Sequence, residues 1–83
     1  MTSVAEVKLA LEQSCEFLRD AYRSVREAES ALDDALEVLA EADANHQDAL
    51  VPPGFLKAKE GFAAQLELIV RSLDLVQRLT AEL

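Results

Sequence analysis

The feature that most limits what this chain can become is a 3,4 recurrence of apolar and small residues: Val4, Val7, Leu11, Ser14, Leu18, Ala21, Val25, Ala28, Leu32, Ala35, Leu39, Ala42 and His46. A helical period held this long specifies an α-helix, since a strand would need alternation of two. Large members (Leu11, Leu18, Val25, Leu32, Leu39) alternate with small ones (Ser14, Ala21, Ala28, Ala35, Ala42), which lets a second helix backbone come close along the seam. Cys15, Phe17, Tyr22, Leu36 and Val38 widen the stripe to the breadth of a helix in a bundle, more than a two-stranded coil needs.

The local signals set the limits of this helix. Ser3-Val4-Ala5-Glu6 fits a capping box, so the helix begins at Val4. Asn45-His46-Gln47-Asp48 is a run of poorer helix formers, and the end falls between Asn45 and Leu50; we take the helix as 4–49. Val51-Pro52-Pro53-Gly54 is the only breaker cluster, and it predicts a turn over 50–54. A second seam then runs Phe55, Lys59, Phe62, Leu66, Ile69, Leu73, Val76, Thr80, Leu83, giving a helix over 55–82. Glu67 with Arg71 and Asp74 with Arg78 are acid-first i,i+4 supports, and Gly61 is a weak point that suggests close contact with the first helix.

The fold class is therefore all-α: one domain over 1–83, an antiparallel helical hairpin that dimerises into a four-helix bundle or coiled-coil-like assembly. Lengths argue for the dimer. A first helix to about Leu50 spans ~70 Å and a second from Gly54 to Leu83 ~45 Å, which brings Leu83 level with Ala21 and leaves Val4, Val7, Leu11, Cys15, Phe17 and Leu18 overhanging. A second stripe of Leu68, Leu75 and Leu79 is also spare. The expected dimer interface is accordingly Val4, Val7, Leu11, Cys15, Leu18, Leu68, Leu75 and Leu79.

Net charge is −8, and the first helix holds the imbalance: residues 1–50 carry twelve acids and four bases, residues 51–83 four of each. Nucleic acid and acidic membrane surfaces are disfavoured, because both demand a basic footprint. Glu27, Asp33, Asp34, Glu37 and Glu41 make an acidic face that suits a basic protein partner or stands as a solvated surface. No apolar run approaches the ~18 residues of a membrane span, and no leader pattern opens the chain, so the expectation is a cytoplasmic protein, with leaderless secretion left open.

Chemistry-bearing groups are few. Asp43-x-x-His46 places a carboxylate and the only imidazole on one helical face, an alternative metal site that a dimer would duplicate, although Asp stands where bundle metal sites carry Glu. Glu12 and Glu16 beside Cys15 disfavour a thiolate, so Cys15 reads as a small buried hydrophobe or an intersubunit disulfide. Ser14 and Ser72 have no histidine in triad spacing. No enzyme activity, catalytic residue or cofactor is expected.

Two antiparallel helices joined at a Pro/Gly turn, Val51-Pro52-Pro53-Gly54-Phe55, in an Ala-rich acidic chain resemble the small helical-hairpin proteins of actinobacteria, including the WXG-type substrates of type VII secretion. Only Gly54 carries over, as a turn residue; Trp is absent, and so is the C-terminal Tyr-x-x-x-Asp/Glu signal. The resemblance implies the hairpin architecture and, as an alternative function, a small secreted hairpin. The residues themselves favour a homodimeric interaction or scaffold module that turns its acidic face to a protein partner.

Overall fold

The computed structural model describes residues 3–44 and 51–83. They form two helices, α1 (Val4–Asp43) and α2 (Gly54–Glu82), packed side by side as an antiparallel hairpin. Ser3 caps α1 from an extended backbone conformation, its hydroxyl accepting from the Glu6 amide at 3.1 Å. Among the described residues α1 runs to Asp43, and the Ala44 amide donates to the Ala40 carbonyl at 3.2 Å. The expected continuation through 45–50, including His46, lies outside the described residues. α2 opens where the prolines allow: Phe55 donates its amide to the Pro52 carbonyl, and Pro53 adopts helical angles at no cost in hydrogen bonds.

The register of the hairpin differs from the one the helix lengths suggested. Lys59 Nζ lies 2.9 Å from Asp33 Oδ1, and Cys15 shares a cleft with Gln77 and Thr80. Both observations place residues level when their numbers sum to about 94. Leu18 then lies level with Val76, Val25 with Ile69, Leu32 with Phe62 and Leu39 with Phe55, all of them half-buried or better. Leu83 comes level with Leu11, ten residues further along α1 than the expected match with Ala21. The overhang shrinks to the first two turns of α1, where Val4 and Val7 remain exposed. Leu11 and Leu18 are half-buried and Cys15 is 5% exposed, all level with α2 of the same chain, so they do not overhang it as expected.

The seam on α1 also differs in phase. Leu11, Leu18, Val25, Leu32 and Leu39 face α2 as expected, but the residues that alternate with them are Cys15, Glu29, Leu36 and Asp43; Ala21, Ala28, Ala35 and Ala42 are exposed. The reason is area. The apolar arc of α1 is wider than one helix can cover, and turning Cys15 and Leu36 inward removes more surface from water than turning alanines inward. On α2 the expected seam holds for Phe55, Phe62, Leu66, Ile69, Leu73, Val76 and Thr80. Gly61 is not a close contact: nothing lies within 4 Å of where its Cβ would stand.

The product is a rod of 66 × 18 × 14 Å with a radius of gyration of 19.3 Å, against about 12 Å for a compact domain of this length. Among the described residues only Cys15 is buried, and none is fully so.

Candidate functional site

Two columns of side chains flank the seam, and their chemistry is opposite. On one flank stand Glu12, Glu16, Arg19 and Asp33 of α1 with Lys59, Gln77 and Thr80 of α2. Helical spacing puts the other flank 180° around the hairpin. There α1 presents Val7, Ala10, Ser14, Phe17, Ala21, Ser24, Ala28, Ala31, Ala35, Val38 and Ala42, and α2 presents Ala58, Gly61, Gln65, Leu68, Ser72, Leu75 and Leu79. No charged residue interrupts this set. Phe17, Val38, Leu68, Leu75 and Leu79 are its exposed large side chains, and Ser72, the most polar group between the leucines, turns its hydroxyl inward to the Leu68 carbonyl at 2.8 Å.

Scattered exposed apolar residues are ordinary; a contiguous charge-free strip of this length is not. Leu9, alone on the polar side as expected, belongs to the ordinary kind, as do Leu56 and Val70. Of the expected interface residues, Leu68, Leu75, Leu79 and Val7 lie on the strip, Val4 lies at the uncovered end of α1, and Leu11, Cys15 and Leu18 lie in the seam. The sequence places Val38 at the edge of the seam and the alanines within it; the structure leaves both exposed, together with Phe17.

The opposite flank holds an open cleft of about 350 Å³ lined by Glu12, Cys15, Glu16, Arg19, Gln77 and Thr80. The Cys15 thiol sits at its floor and is shielded from solvent, so it acts as a packing group here and not as an exposed partner for an intersubunit disulfide. Thr80 satisfies its own hydroxyl on the Val76 carbonyl at 2.8 Å. Among the described residues no group of three His, Cys, Asp or Glu is placed to hold a metal ion. Asp43 ends α1 half-buried, and its proposed companion His46 lies outside the described residues.

The five residues of the expected acidic face do not share one surface. Asp33 turns toward α2 and is held by Lys59, the one ion pair between the helices among those described. Glu37 lies toward the same flank, while Glu27, Asp34 and Glu41 stand seven apart on the outer edge of α1, in one column with Asp20. α2 has a matching outer column of opposite sign, Lys57, Ala64, Arg71 and Arg78. Arg71 and Arg78 are paired only within their own helix, to Glu67 at 2.6 Å and Asp74 at 2.8 Å, and remain about 70% exposed. Glu29, like Asp43, turns inward: its side chain is 19% exposed, is paired with Arg26 at 2.9 Å and lies level with Leu66.

No helix among the described residues is long and apolar enough to cross a membrane. A scan against protein-family models gives no match, and neither do searches of curated proteins and of solved structures.

Proposed function

We propose that this chain is a non-enzymatic interaction module: a helical hairpin that self-associates through its charge-free flank and carries an acidic outer edge to a protein partner. The observation that carries the reading is unburied area. A chain of 9.1 kDa exposes 6395 Å², whereas a compact monomer of that mass exposes about 4,900 Å². Phe17, Val38, Leu68, Leu75 and Leu79 are among the exposed large apolar side chains that contribute to it. Burying such a strip is worth roughly 25 cal/mol for each Å² removed from water. A homodimer is the simplest cover, because a patch on a two-fold axis complements itself.

Light scattering on the purified protein tests this. The expected result is twice the chain mass at micromolar concentration, with little change between low and high salt if apolar burial dominates. A monomer that keeps full helix content at those concentrations would overturn the self-association. Pull-down with the acidic edge intact and with Glu27, Asp34 and Glu41 changed to Gln or Asn tests the second half: a basic partner is captured in the first case and lost in the second.

A further inference from the structure

We propose that the two copies pack with their two-fold axis parallel to the helices, so that α2 of each chain lies on α1 of the other and the basic column of α2 meets the acidic column of α1. The inference rests on the self-association proposed above and adds the geometry of that contact. Three observations lead to it.

The first is area. The charge-free strip runs from Val7 to Ala42 on α1 and from Ala58 to Leu79 on α2, roughly 50 Å and 30 Å of helix. With half the 18 Å width of the rod assigned to each helix, the strip covers on the order of 750 Å² per chain, close to the ~800 Å² per partner of a stable interface.

The second is shape. An axis parallel to the helices keeps every residue at its own height, so the register already fixed within one hairpin also fixes the contact, with no freedom to slide. Leu68 then falls between Ser24 and Ala28 of the second copy, and Leu75 between Phe17 and Ala21. Leu68 so meets small side chains of α1, and Leu75 meets one small and one aromatic side chain. An axis perpendicular to the helices would instead lay the alanine column of α1 against its own copy and leave the leucines of α2 facing leucines.

The third is charge. Heights that sum to about 94 set Arg71 midway between Asp20 and Glu27 of the second copy, and Lys57 midway between Asp34 and Glu41. The offset is half a heptad, about 5 Å along the axis, within reach of Lys and Arg side chains. Arg78 falls beside Asp20 in the same way. The perpendicular arrangement would align acid with acid along α1 and base with base along α2, and like charges so placed repel. The first basic partner of the acidic edge is therefore a second copy of this chain.

Spin labels placed one at a time at Glu6→Cys and Glu37→Cys, with Cys15→Ala, report the geometry. In the parallel-axis dimer the two α1 helices are diagonal neighbours about 14 Å apart, so both positions give label separations below ~35 Å. The two sites lie about 46 Å apart along α1, so a perpendicular axis forces at least one separation above ~45 Å and overturns the inference while leaving self-association standing. Loss of dipolar coupling together with a monomer mass overturns both, and points to a different protein as the cover for the strip. The unlabelled chain gives a second test that keeps Cys15. Arg71→Glu with Arg78→Glu should raise the dimer dissociation constant about tenfold at low salt, and mixing with Asp20→Lys, Glu27→Lys should restore association. An unchanged constant, or no restoration on mixing, refutes the pairing of the columns.

Discussion

Replacing Leu68 and Leu75 together by Glu separates the two jobs of α2. Both side chains lie outside the seam and are 63% and 64% exposed in the single chain. About two thirds of each leucine is thus still available for burial, worth roughly 1–2 kcal/mol of the 1.5–3 kcal/mol for a full side chain. A two-fold dimer counts each leucine twice, so four side chains supply on the order of 4–8 kcal/mol, and the substitutions also force four carboxylates against an apolar strip. At 1.4 kcal/mol per tenfold, the dissociation constant rises by at least about a thousandfold. Sedimentation equilibrium should show the parent at twice the chain mass and the double variant at the chain mass. Circular dichroism on the variant at low temperature should retain the helical signal, because Leu66, Ile69, Leu73 and Val76 still face α1. A double variant that sediments like the parent would refute the assignment of the strip, whatever its helix content.

Changing Leu11 and Leu18 together to Glu acts on the other side of α1 and should give an unfolded or strongly destabilised chain, because both pack under α2 of their own chain; a thermal melt like that of the parent would contradict the register. Glu29→Leu should raise the melting temperature, by about 1 kcal/mol of stability, since it replaces a mostly buried carboxylate in the seam opposite Leu66 with an apolar side chain. Gly61→Ala should stabilise α2 by about 0.5–1 kcal/mol in a denaturant titration of the Leu68→Glu, Leu75→Glu monomer, where the added methyl meets open space. Among the acids, Asp34→Asn should be neutral or slightly stabilising and Asp33→Asn should cost up to about 1 kcal/mol, because only Asp33 is held by Lys59; equal melts for the two would remove that ion pair from the account.

What the sequence determined by itself was the kind of structure. The 3,4 recurrence, Ser3 before Glu6, and Pro52-Pro53 after a run of poor helix formers are local signals, and local signals are sufficient to specify two helices and a reversal. The acid-first pairs Glu67–Arg71 and Asp74–Arg78 were equally legible, because their geometry is set by one helix alone. On α2, where Phe62, Leu66, Ile69, Leu73 and Val76 form the larger stripe beside the spare leucines, the inward face was legible too. On α1 it was not. Ala21 and Ala28 on one side of Leu18 and Val25, and Cys15 and Leu36 on the other, are all acceptable to a helix partner, so periodicity defines an apolar arc without saying which part of it α2 takes. Tertiary packing decided that, by drawing the larger side chains inward and leaving the alanines out. The height at which the helices meet was decided in the same way: it sets Leu83 level with Leu11 and not with Ala21, and so brings Cys15 and Leu18 under α2 of their own chain.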